Sequence, residues 1–266
     1  MAKRNRIQEE KDYAELTSVN EVTQINDTKK IISQLLPNDI KVISKNNSQK
    51  ELIKSIKNNE ITICAGPAGM GKTFVAIAYA LSLLRKSSNR YKRIYLVKSV
   101  TTLKNEEIGF LKGGLREKID PFMWSFYVNI EKVILKSTLE DLLNEEIIVP
   151  FPIAYMRGAT LDDCIVILDE MQNVNLDNAR TLMTRIGNNS KLIILGDKNQ
   201  IDLKNKNESS LDILLNMFEN TENFGVISMS EEDTNVRNPL IKIIEERFKD
   251  YYNTFGYNGN GNNNNK

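Results

Sequence analysis

The fold of this chain is decided by the stretch Cys64-Ala65-Gly66-Pro67-Ala68-Gly69-Met70-Gly71-Lys72-Thr73. The stretch has the spacing G-x-x-x-x-G-K-T, and it lies between an apolar run, 61–65, and a helical pattern, 74–84. A strand, a glycine-rich turn and a helix in this order form the context of a phosphate-binding loop. The sequence therefore predicts a nucleotide-binding protein. The alternative is a glycine-rich turn between a strand and a helix, in which the lysine is present by chance.

The residues of this loop have separate predicted tasks. Glycines let backbone N–H groups come close to phosphate oxygens, and the helix that follows directs its positive end at the anion. Lys72 would reach the β- and γ-phosphates, and the hydroxyl of Thr73 would bind Mg²⁺. The predicted nucleotide-binding residues of the loop are Gly66, Pro67, Ala68, Gly69, Met70, Gly71, Lys72 and Thr73.

Composition excludes several other classes of site. The chain has 266 residues with 36 basic and 35 acidic side chains, so no overall basic field indicates nucleic acid. It contains no histidine, which excludes histidine metal sites and histidine acid–base catalysis. Cys64 and Cys164 lie in apolar, strand-like runs, and we expect small buried side chains and no disulfide. Without a signal peptide pattern or a long apolar run, we expect a cytoplasmic protein with no membrane partner.

The chain divides into three predicted parts. Residues 1–44 form a polar N-terminal appendage, partly disordered or used for subunit contacts, and residues 255–266 form a disordered tail rich in Asn and Gly. Residues 45–254 alternate strand and helix patterns, which predicts an α/β domain with a mostly parallel, doubly wound sheet. The predicted strands are 61–65, 93–97, 147–149, 164–168, 192–195 and 225–229. The predicted helices are 47–58, 74–85, 117–137 with an interruption at Pro121, 176–186, 210–218 and 239–252.

A second motif is Ile165-Val166-Ile167-Leu168-Asp169-Glu170-Met171-Gln172-Asn173. A buried strand here ends in two carboxylates, at the edge of a parallel sheet where ligands bind. Asp169 is placed to hold Mg²⁺ through a water, and Glu170 to orient and deprotonate an attacking water. The alternative is an acidic, solvated strand end without a catalytic task.

A third motif is Lys191-Leu192-Ile193-Ile194-Leu195-Gly196-Asp197-Lys198-Asn199-Gln200. In nucleotide hydrolases with an extra strand between the phosphate-loop strand and the Asp-Glu strand, such a polar end lies beside the γ-phosphate. Asp197 is thus a candidate nucleotide-binding residue. Gln200 is a candidate for contact with the γ-phosphate or the attacking water. The alternative is that Gly-Asp here forms an ordinary turn.

Together these motifs resemble the PhoH-like protein family, single-domain ATPases related to the core of superfamily 1 helicases. The resemblance covers roughly residues 45 to 250, with the motifs in the family's order. The matching stretches are Gly66-Pro67-Ala68-Gly69-Met70-Gly71-Lys72-Thr73, Ile108-Gly109-Phe110-Leu111, Ala154-Tyr155-Met156-Arg157-Gly158, Leu168-Asp169-Glu170-Met171-Gln172-Asn173, Thr184-Arg185-Ile186-Gly187, Gly196-Asp197-Lys198-Asn199-Gln200-Ile201-Asp202-Leu203 and Val236-Arg237-Asn238-Pro239-Leu240.

This resemblance implies a three-layer, RecA-like P-loop NTPase fold that uses ATP and Mg²⁺ and hydrolyses ATP. It also implies single-stranded RNA as a partner, with DNA possible, and a homo-oligomeric ring, with a hexamer favoured. Gln49 matches the glutamine that reads adenine in related helicases; the alternative is an exposed polar residue on a helix. The chain departs from the family at Met70, at Lys98-Ser99 and at Asn238, where Thr or Ser, Arg-Pro and His are usual.

Phosphoryl transfer needs positive charge near the transition state, and an arginine finger often supplies it. A two-lobed helicase takes this arginine from its second lobe, but this chain has room for one lobe, so the arginine should come from a neighbouring subunit. The candidates are Arg237, favoured by its place in the Val-Arg-Asn motif, Arg185 and Arg157. Each of them is equally compatible with a surface ion pair.

Two other functions remain to be compared with an ATPase. One is a nucleotide-gated binding or scaffold module in which ATP orders a ring with little turnover. The other is a P-loop kinase, which lacks support because Glu170 beside Asp169 favours water as the acceptor and no acceptor motif is apparent.

Overall fold

The computed structural model describes residues 24–87, 90–99, 115–153, 156, 158–229 and 239–255. These residues contain a six-stranded sheet made of β1 (Ile61–Ala65), β2 (Arg93–Lys98), β3 (Ile148–Pro152), β4 (Cys164–Asp169), β5 (Lys191–Gly196) and β6 (Phe224–Ser228). The strand order is β3-β2-β4-β5-β1-β6, and every pair is parallel. The prediction of an α/β fold with a parallel sheet is confirmed.

The central strands β4 and β5 are buried along their whole length. Their β-branched, apolar runs suit a strand that is covered on both faces. The register pairs Ala65 with Gly196 and Leu168 with Ile194, so the carboxyl ends of β1, β4 and β5 lie at one edge of the sheet. Because β5 separates β1 from β4, the loops after these three strands surround one position at that edge.

Helices cover both faces of the sheet and complete three layers. They are α1 (Gln24–Leu35), α2 (Asn47–Asn58), α3 (Lys72–Lys86), α4 (Leu115–Ile130), α5 (Lys136–Asn144), α6 (Leu176–Met183) and α7 (Leu211–Met217). A further helix, α8 (Pro239–Phe255), follows β6 in the chain. One buried apolar cluster contains side chains of α1 to α5, such as Leu81 and Phe126. The other contains side chains of α6 and α7, such as Leu182 and Leu214.

The region predicted as one helix over 117–137 differs in the structure. Pro121 lies inside α4 and does not interrupt it, and the helix ends at Ile130. A second helix, α5, begins at Lys136 after a turn in which the N–H groups of Val133 and Ile134 both bond to the carbonyl of Ile130. No glycine or proline marks this turn, so the local sequence carries no stop signal there.

The described part of the N-terminal segment packs on the domain. Ile32, Leu36 and Ile40 are buried in the same apolar cluster as α3. Arg85 of α3 donates a hydrogen bond from Nε to the carbonyl of Leu36 at 3.3 Å, and another from Nη2 to Asn38 Oδ1. Residues 1–23 and 256–266 lie outside the described residues, so the predicted disorder at both ends stays a prediction.

Two further expectations concern the membrane and the cysteines. Among the described helices, none combines the length and the apolar character needed to cross a bilayer. Cys64 and Cys164 are both free and buried, as predicted. Burial raises the pKa of each thiol to about 12, so neither is a reactive thiolate at neutral pH.

Candidate active site

The glycine-rich loop connects the end of β1 at Ala65 to the start of α3 at Lys72. Gly69 and Gly71 have φ values of 80° and 79°, in the left-handed region that side chains other than glycine rarely adopt. Gly66 is needed for space, because a Cβ atom there would lie 2.7 Å from Cβ of Met229. The loop thus has the backbone conformation that its glycine spacing predicts, at the carboxyl edge of the sheet.

The ammonium group of Lys72 is folded back over this loop. Its Nζ donates hydrogen bonds to the carbonyl oxygens of Gly66 at 2.6 Å and Pro67 at 2.9 Å. Both partners are neutral, so these contacts do not cancel the positive charge. An anion that enters the loop would meet this charge together with the backbone N–H groups at the start of α3.

Thr73, at the start of α3, and Asp169, the last residue of β4, lie in contact beside the glycine-rich loop. The Thr73 hydroxyl donates a hydrogen bond of 2.9 Å to Asp169 Oδ2. Burial raises the pKa of the Asp169 carboxyl, and the nearby Glu170 carboxylate raises it further, while the bond from Thr73 opposes the shift. A hydroxyl and a carboxylate beside a phosphate-binding loop are oxygen ligands of the kind that Mg²⁺ takes. These two side chains therefore fit the predicted metal site.

Glu170 follows Asp169 in a left-handed backbone conformation, with φ 60°. This conformation is uncommon for a residue other than glycine. The N–H of Glu170 donates to Asp169 Oδ1 at 3.0 Å, which stabilises the sharp turn at the strand end. Oε1 of Glu170 lies 4.0 Å from Nζ of Lys98, and Oε2 accepts a hydrogen bond of 2.6 Å from Nε2 of Gln172.

Gln172 is a contact residue that the sequence analysis did not assign. It lies in a 3-10 turn, Met171–Asn173, and its side chain is fully buried. Besides Glu170, its Nε2 contacts the carbonyl of Gln200 at 3.1 Å, and its Oε1 accepts from the N–H of Asp197 at 3.0 Å. The local sequence shows an amide after two carboxylates, but nothing in it indicates that the amide reaches the end of β5.

Asp197 and Gln200 lie at the end of β5, as predicted. Oδ1 of the buried Asp197 accepts a hydrogen bond from the N–H of Asn199 at 2.9 Å, so this carboxylate stabilises its own turn. Gln200 is exposed, and its side chain lines the cleft beside the loop. Their tasks in nucleotide binding and hydrolysis stay predictions.

Gln49 is 2% exposed, so its interpretation as an exposed polar residue of a helix is wrong. Its Nε2 donates to the carbonyl of Met70 at 2.9 Å, and its Oε1 accepts from the N–H of Lys45 at 2.8 Å. The amide thus connects the segment before α2 to the glycine-rich loop. Adenine reading by this residue stays a prediction, and it would require the amide to exchange at least one of these bonds.

These side chains face one cleft with a volume of about 520 Å³. The predicted site residues that line it are Gln49, Ala68, Gly69, Gly71, Lys72, Thr73, Asp169, Glu170, Asp197 and Gln200. The sequence analysis did not predict the part of the wall formed by Asn129 and Lys132, at and just beyond the end of α4, or by Ile43, Lys45 and Phe74. The structure therefore brings the three sequence motifs together around one space.

Arg185 lies away from this cleft. Its neighbour Ile186 forms a parallel bridge with Leu161, which precedes the first residue of β4, whereas Asp169 is the last. A six-residue strand is about 20 Å long. Arg185 is thus at the opposite edge of the sheet and cannot reach the cleft of its own chain. The other two candidates, Arg157 and Arg237, lie outside the described residues.

Comparison with known proteins places these features in a family. The family described as PhoH-like protein matches residues 41–249. A PhoH-like protein of Bacillus subtilis is 38% identical over 198 residues, which cover 74% of this chain and 61% of that protein. A PhoH-like protein of Synechocystis is 35% identical over 206 residues, or 77% of this chain and 62% of that protein.

The relatives are longer than this chain. Protein PhoH of Escherichia coli is 33% identical over 197 residues, which cover 72% of this chain and 54% of that protein. This chain therefore spans about six-tenths of the length of the curated relatives that it matches, or less. Among solved structures, the large terminase of a thermophilic bacteriophage aligns with a TM-score of 0.46 and 11% identity over 77% of this chain and 50% of that one. That likeness is too low to support an argument.

Proposed function

We propose that this chain, which belongs to the PhoH-like protein family, binds ATP in the cleft at the carboxyl edge of its sheet and hydrolyses it. The main support for the proposal is that Lys72, the Thr73–Asp169 pair and Glu170 all line that one cleft. Lys72 and Thr73 are the first residues of α3, after the loop that follows β1, and the two carboxylates lie at the end of β4 and just beyond it. Charge, metal-binding oxygens and a base are the three things that hydrolysis of a phosphoanhydride needs.

In this proposal each side chain has one chemical task. Lys72 exchanges its loop carbonyls for phosphate oxygens and offsets their charge. Thr73 and Asp169 hold Mg²⁺, which when bound neutralises charge on the phosphates. Glu170 orients a water and takes its proton as the water attacks the γ-phosphate, whose bond to the β–γ bridging oxygen breaks so that ADP leaves. Gln200, at the cleft wall, contacts the γ-phosphate or that water.

From the family resemblance we infer coupling to single-stranded RNA, with DNA as the other candidate, in a cytoplasmic homo-oligomeric ring, with a hexamer favoured. Arg185 lies too far from its own cleft to act there, so it could act only on the cleft of a neighbouring subunit. Arg237 is the favoured finger in the same arrangement.

The experiment is an ATPase assay with Mg²⁺ on the wild type, Glu170→Gln and Lys72→Ala, with a molar-mass measurement on each. Glu170→Gln keeps the size of the side chain but cannot take a proton, so ATP should bind while hydrolysis falls about 10²-fold or more. Lys72→Ala should lose both binding and hydrolysis while it stays folded. Normal turnover by either folded variant would contradict the assignment of that residue.

Each rate is measured without nucleic acid, with single-stranded RNA, and with single-stranded DNA of the same sequence. Stimulation by RNA above that by DNA would support the RNA proposal, and equal rates in all three conditions would contradict it. Tight ATP binding with no turnover by the wild type would instead favour the scaffold function.

A further inference from the structure

The side chain of Gln172 joins the three polar groups that follow β4 and β5. Its Nε2 lies 2.6 Å from Oε2 of Glu170 and 3.1 Å from the carbonyl of Gln200, and its Oε1 lies 3.0 Å from the N–H of Asp197. One buried amide group thus makes these three hydrogen bonds. A primary amide has two N–H donors and one carbonyl oxygen, so both donors and the acceptor are in use.

The partners of Gln172 determine which end of the amide points to which group. The N–H of Asp197 can only donate, so it must meet the amide oxygen. The carbonyl of Gln200 can only accept, so it must meet the amide nitrogen, and the same nitrogen donates to Oε2 of Glu170. A flipped amide would break every one of these contacts. The orientation is therefore set by chemistry.

Gly196 provides the space that this amide occupies. A Cβ atom on Gly196, the last residue of β5, would lie 3.0 Å from Oε1 of Gln172 and 2.7 Å from Cδ2 of Leu211. The absence of a side chain at Gly196 thus lets the amide reach across from the end of β4. Because a buried amide with unmade hydrogen bonds is costly, Gln172 is held where it is.

We propose that Gln172 is a positioning residue for hydrolysis, which holds Oε2 of Glu170 and leaves Oε1 to accept the proton of the attacking water. This inference rests on the proposed function of Glu170 as the base. Lys98, at 4.0 Å from Oε1, is beyond hydrogen-bond distance and contributes charge alone. Gln172 also links the base to the turn that carries Asp197 and Gln200, so a displacement of that turn would move the carboxylate.

A purely structural role for Gln172 would be to tie β4 to β5. The two roles differ in their dependence on Glu170. If Gln172 acts through the Glu170 carboxylate, its replacement should lower the ATP turnover rate only while that carboxylate is present. If it only supports the fold, its replacement should lower the rate by the same factor with Glu170 or with Gln at position 170. A double-mutant cycle separates these cases.

The experiment measures ATP turnover and nucleotide affinity for the wild type, Gln172→Met, Glu170→Gln and the double variant. Methionine has a similar volume but makes none of the three bonds. In Gln172→Met we expect kcat to fall by at least about 10-fold, with KM for ATP within about 3-fold of the wild type. The double variant should turn over ATP no more slowly than Glu170→Gln alone. An additional loss in the double variant would overturn the inference.

A second variant keeps the test valid if Gln172→Met folds poorly. Gln172→Glu retains an acceptor for the N–H of Asp197 but has no donor for Glu170. It should therefore be as slow as Gln172→Met, and turnover at the wild-type rate would overturn the inference. Asn173→Ala is the matched control, because Asn173 is also buried in this turn but bonds with Asp202. Its effect on kcat should be the same with Glu170 or Gln at position 170.

Failure of this inference is distinguishable from failure of the proposed function. If the wild type has no turnover, the proposed function itself is wrong, and if Glu170→Gln is as fast as the wild type, the assignment of Glu170 as the base is wrong. If Glu170→Gln is slow while Gln172→Met matches the wild type, only the role of Gln172 is wrong.

Discussion

The Thr73 hydroxyl donates a 2.9 Å hydrogen bond to Asp169 Oδ2, which joins two motifs that are 96 residues apart in the sequence. The bond lies at the edge where β1 and β4 end, with β5 between them. It brings a hydroxyl and a carboxylate together in a position where both can hold one cation. The first prediction follows from this contact.

Thr73→Val removes the hydroxyl while it keeps the shape of the side chain. We expect the Mg²⁺ concentration for half-maximal ATPase activity to rise by about 10-fold or more, because one of the two side chains proposed to hold the cation loses its oxygen. Stability should fall by only about 1 kcal/mol, the usual cost of one lost hydrogen bond. A Mg²⁺ titration of activity and a urea unfolding curve measure the two effects. Thr73→Ser is the control, and an unchanged Mg²⁺ dependence in the valine variant would contradict the site.

Gln49→Ala tests whether the buried amide supports the loop or reads adenine. It removes the bonds to the carbonyl of Met70 and the N–H of Lys45. Since these bonds hold the loop, we expect affinities for ATP and GTP to fall by a similar factor of about 10. Competition binding with both nucleotides measures this. A loss for ATP alone would show that Gln49 reads the base, and Lys50→Ala, on the exposed face of the same helix, is the control.

Arg237→Ala tests the site shared between subunits. This variant should bind ATP nearly as the wild type does and hydrolyse it about 10³–10⁵-fold more slowly, the contribution of an arginine finger. Arg237→Lys should not restore the rate, because an ammonium cannot reproduce the forked donors of a guanidinium.

A mixing experiment with Glu170→Gln subunits distinguishes action across an interface from action within a chain. Arg237→Ala subunits retain Glu170, and Glu170→Gln subunits retain Arg237. After subunit exchange, some interfaces therefore combine an intact base with an intact finger, and activity should reappear. If exchange is demonstrated and activity stays absent, Arg237 does not act across the interface.

Lys191→Met tests a pH dependence of stability. Burial lowers the pKa of Lys191 from its ordinary value of 10.5 to about 8, and the positive charge of Arg90 lowers it further, while Glu60 opposes the shift. Between these two pH values the unfolded chain binds a proton that the folded chain has released. The contribution of Lys191 to stability is therefore greatest above pH 10.5 and is lost as the pH falls through about 8.

Urea unfolding at pH 7 and pH 10 measures this effect. The free energy of unfolding of the wild type, relative to that of Lys191→Met, should rise between the two pH values. Lys204→Met changes an exposed lysine and serves as the control. An equal pH dependence for the wild type and Lys191→Met would contradict the prediction.

Much of the fold follows from local patterns. The apolar, β-branched run that forms β4 and the glycine spacing of 66–71 each predict their own structure, because burial on both faces and left-handed φ values restrict which residues are tolerated. The helix α2, which begins at Asn47, was also predictable, because its amphipathic pattern lies within its own few turns.

The boundaries of the helices after β2 were less predictable. α4 continues through Pro121 and ends at Ile130 without a local stop signal, since burial of its apolar face on α3 and the sheet decides its length. The place of α1 (Gln24–Leu35) in the core was also hard to predict from its sequence. Its apolar residues are few and its flanks are polar, so only contact with the domain shows that Ile32 and Leu36 belong to the core.

The individual strands, the glycine-rich loop and the two carboxylates at a strand end are predictable from the sequence, because each depends on residues that are neighbours in the chain. Only the tertiary structure decided that Gln172 meets Glu170, Asp197 and Gln200, and that Gln49 is buried against Met70. The physical reason is the order of the strands. Parallel strands far apart in sequence end side by side, and a side chain's partners are then set by the neighbouring strand, which its local sequence does not reveal.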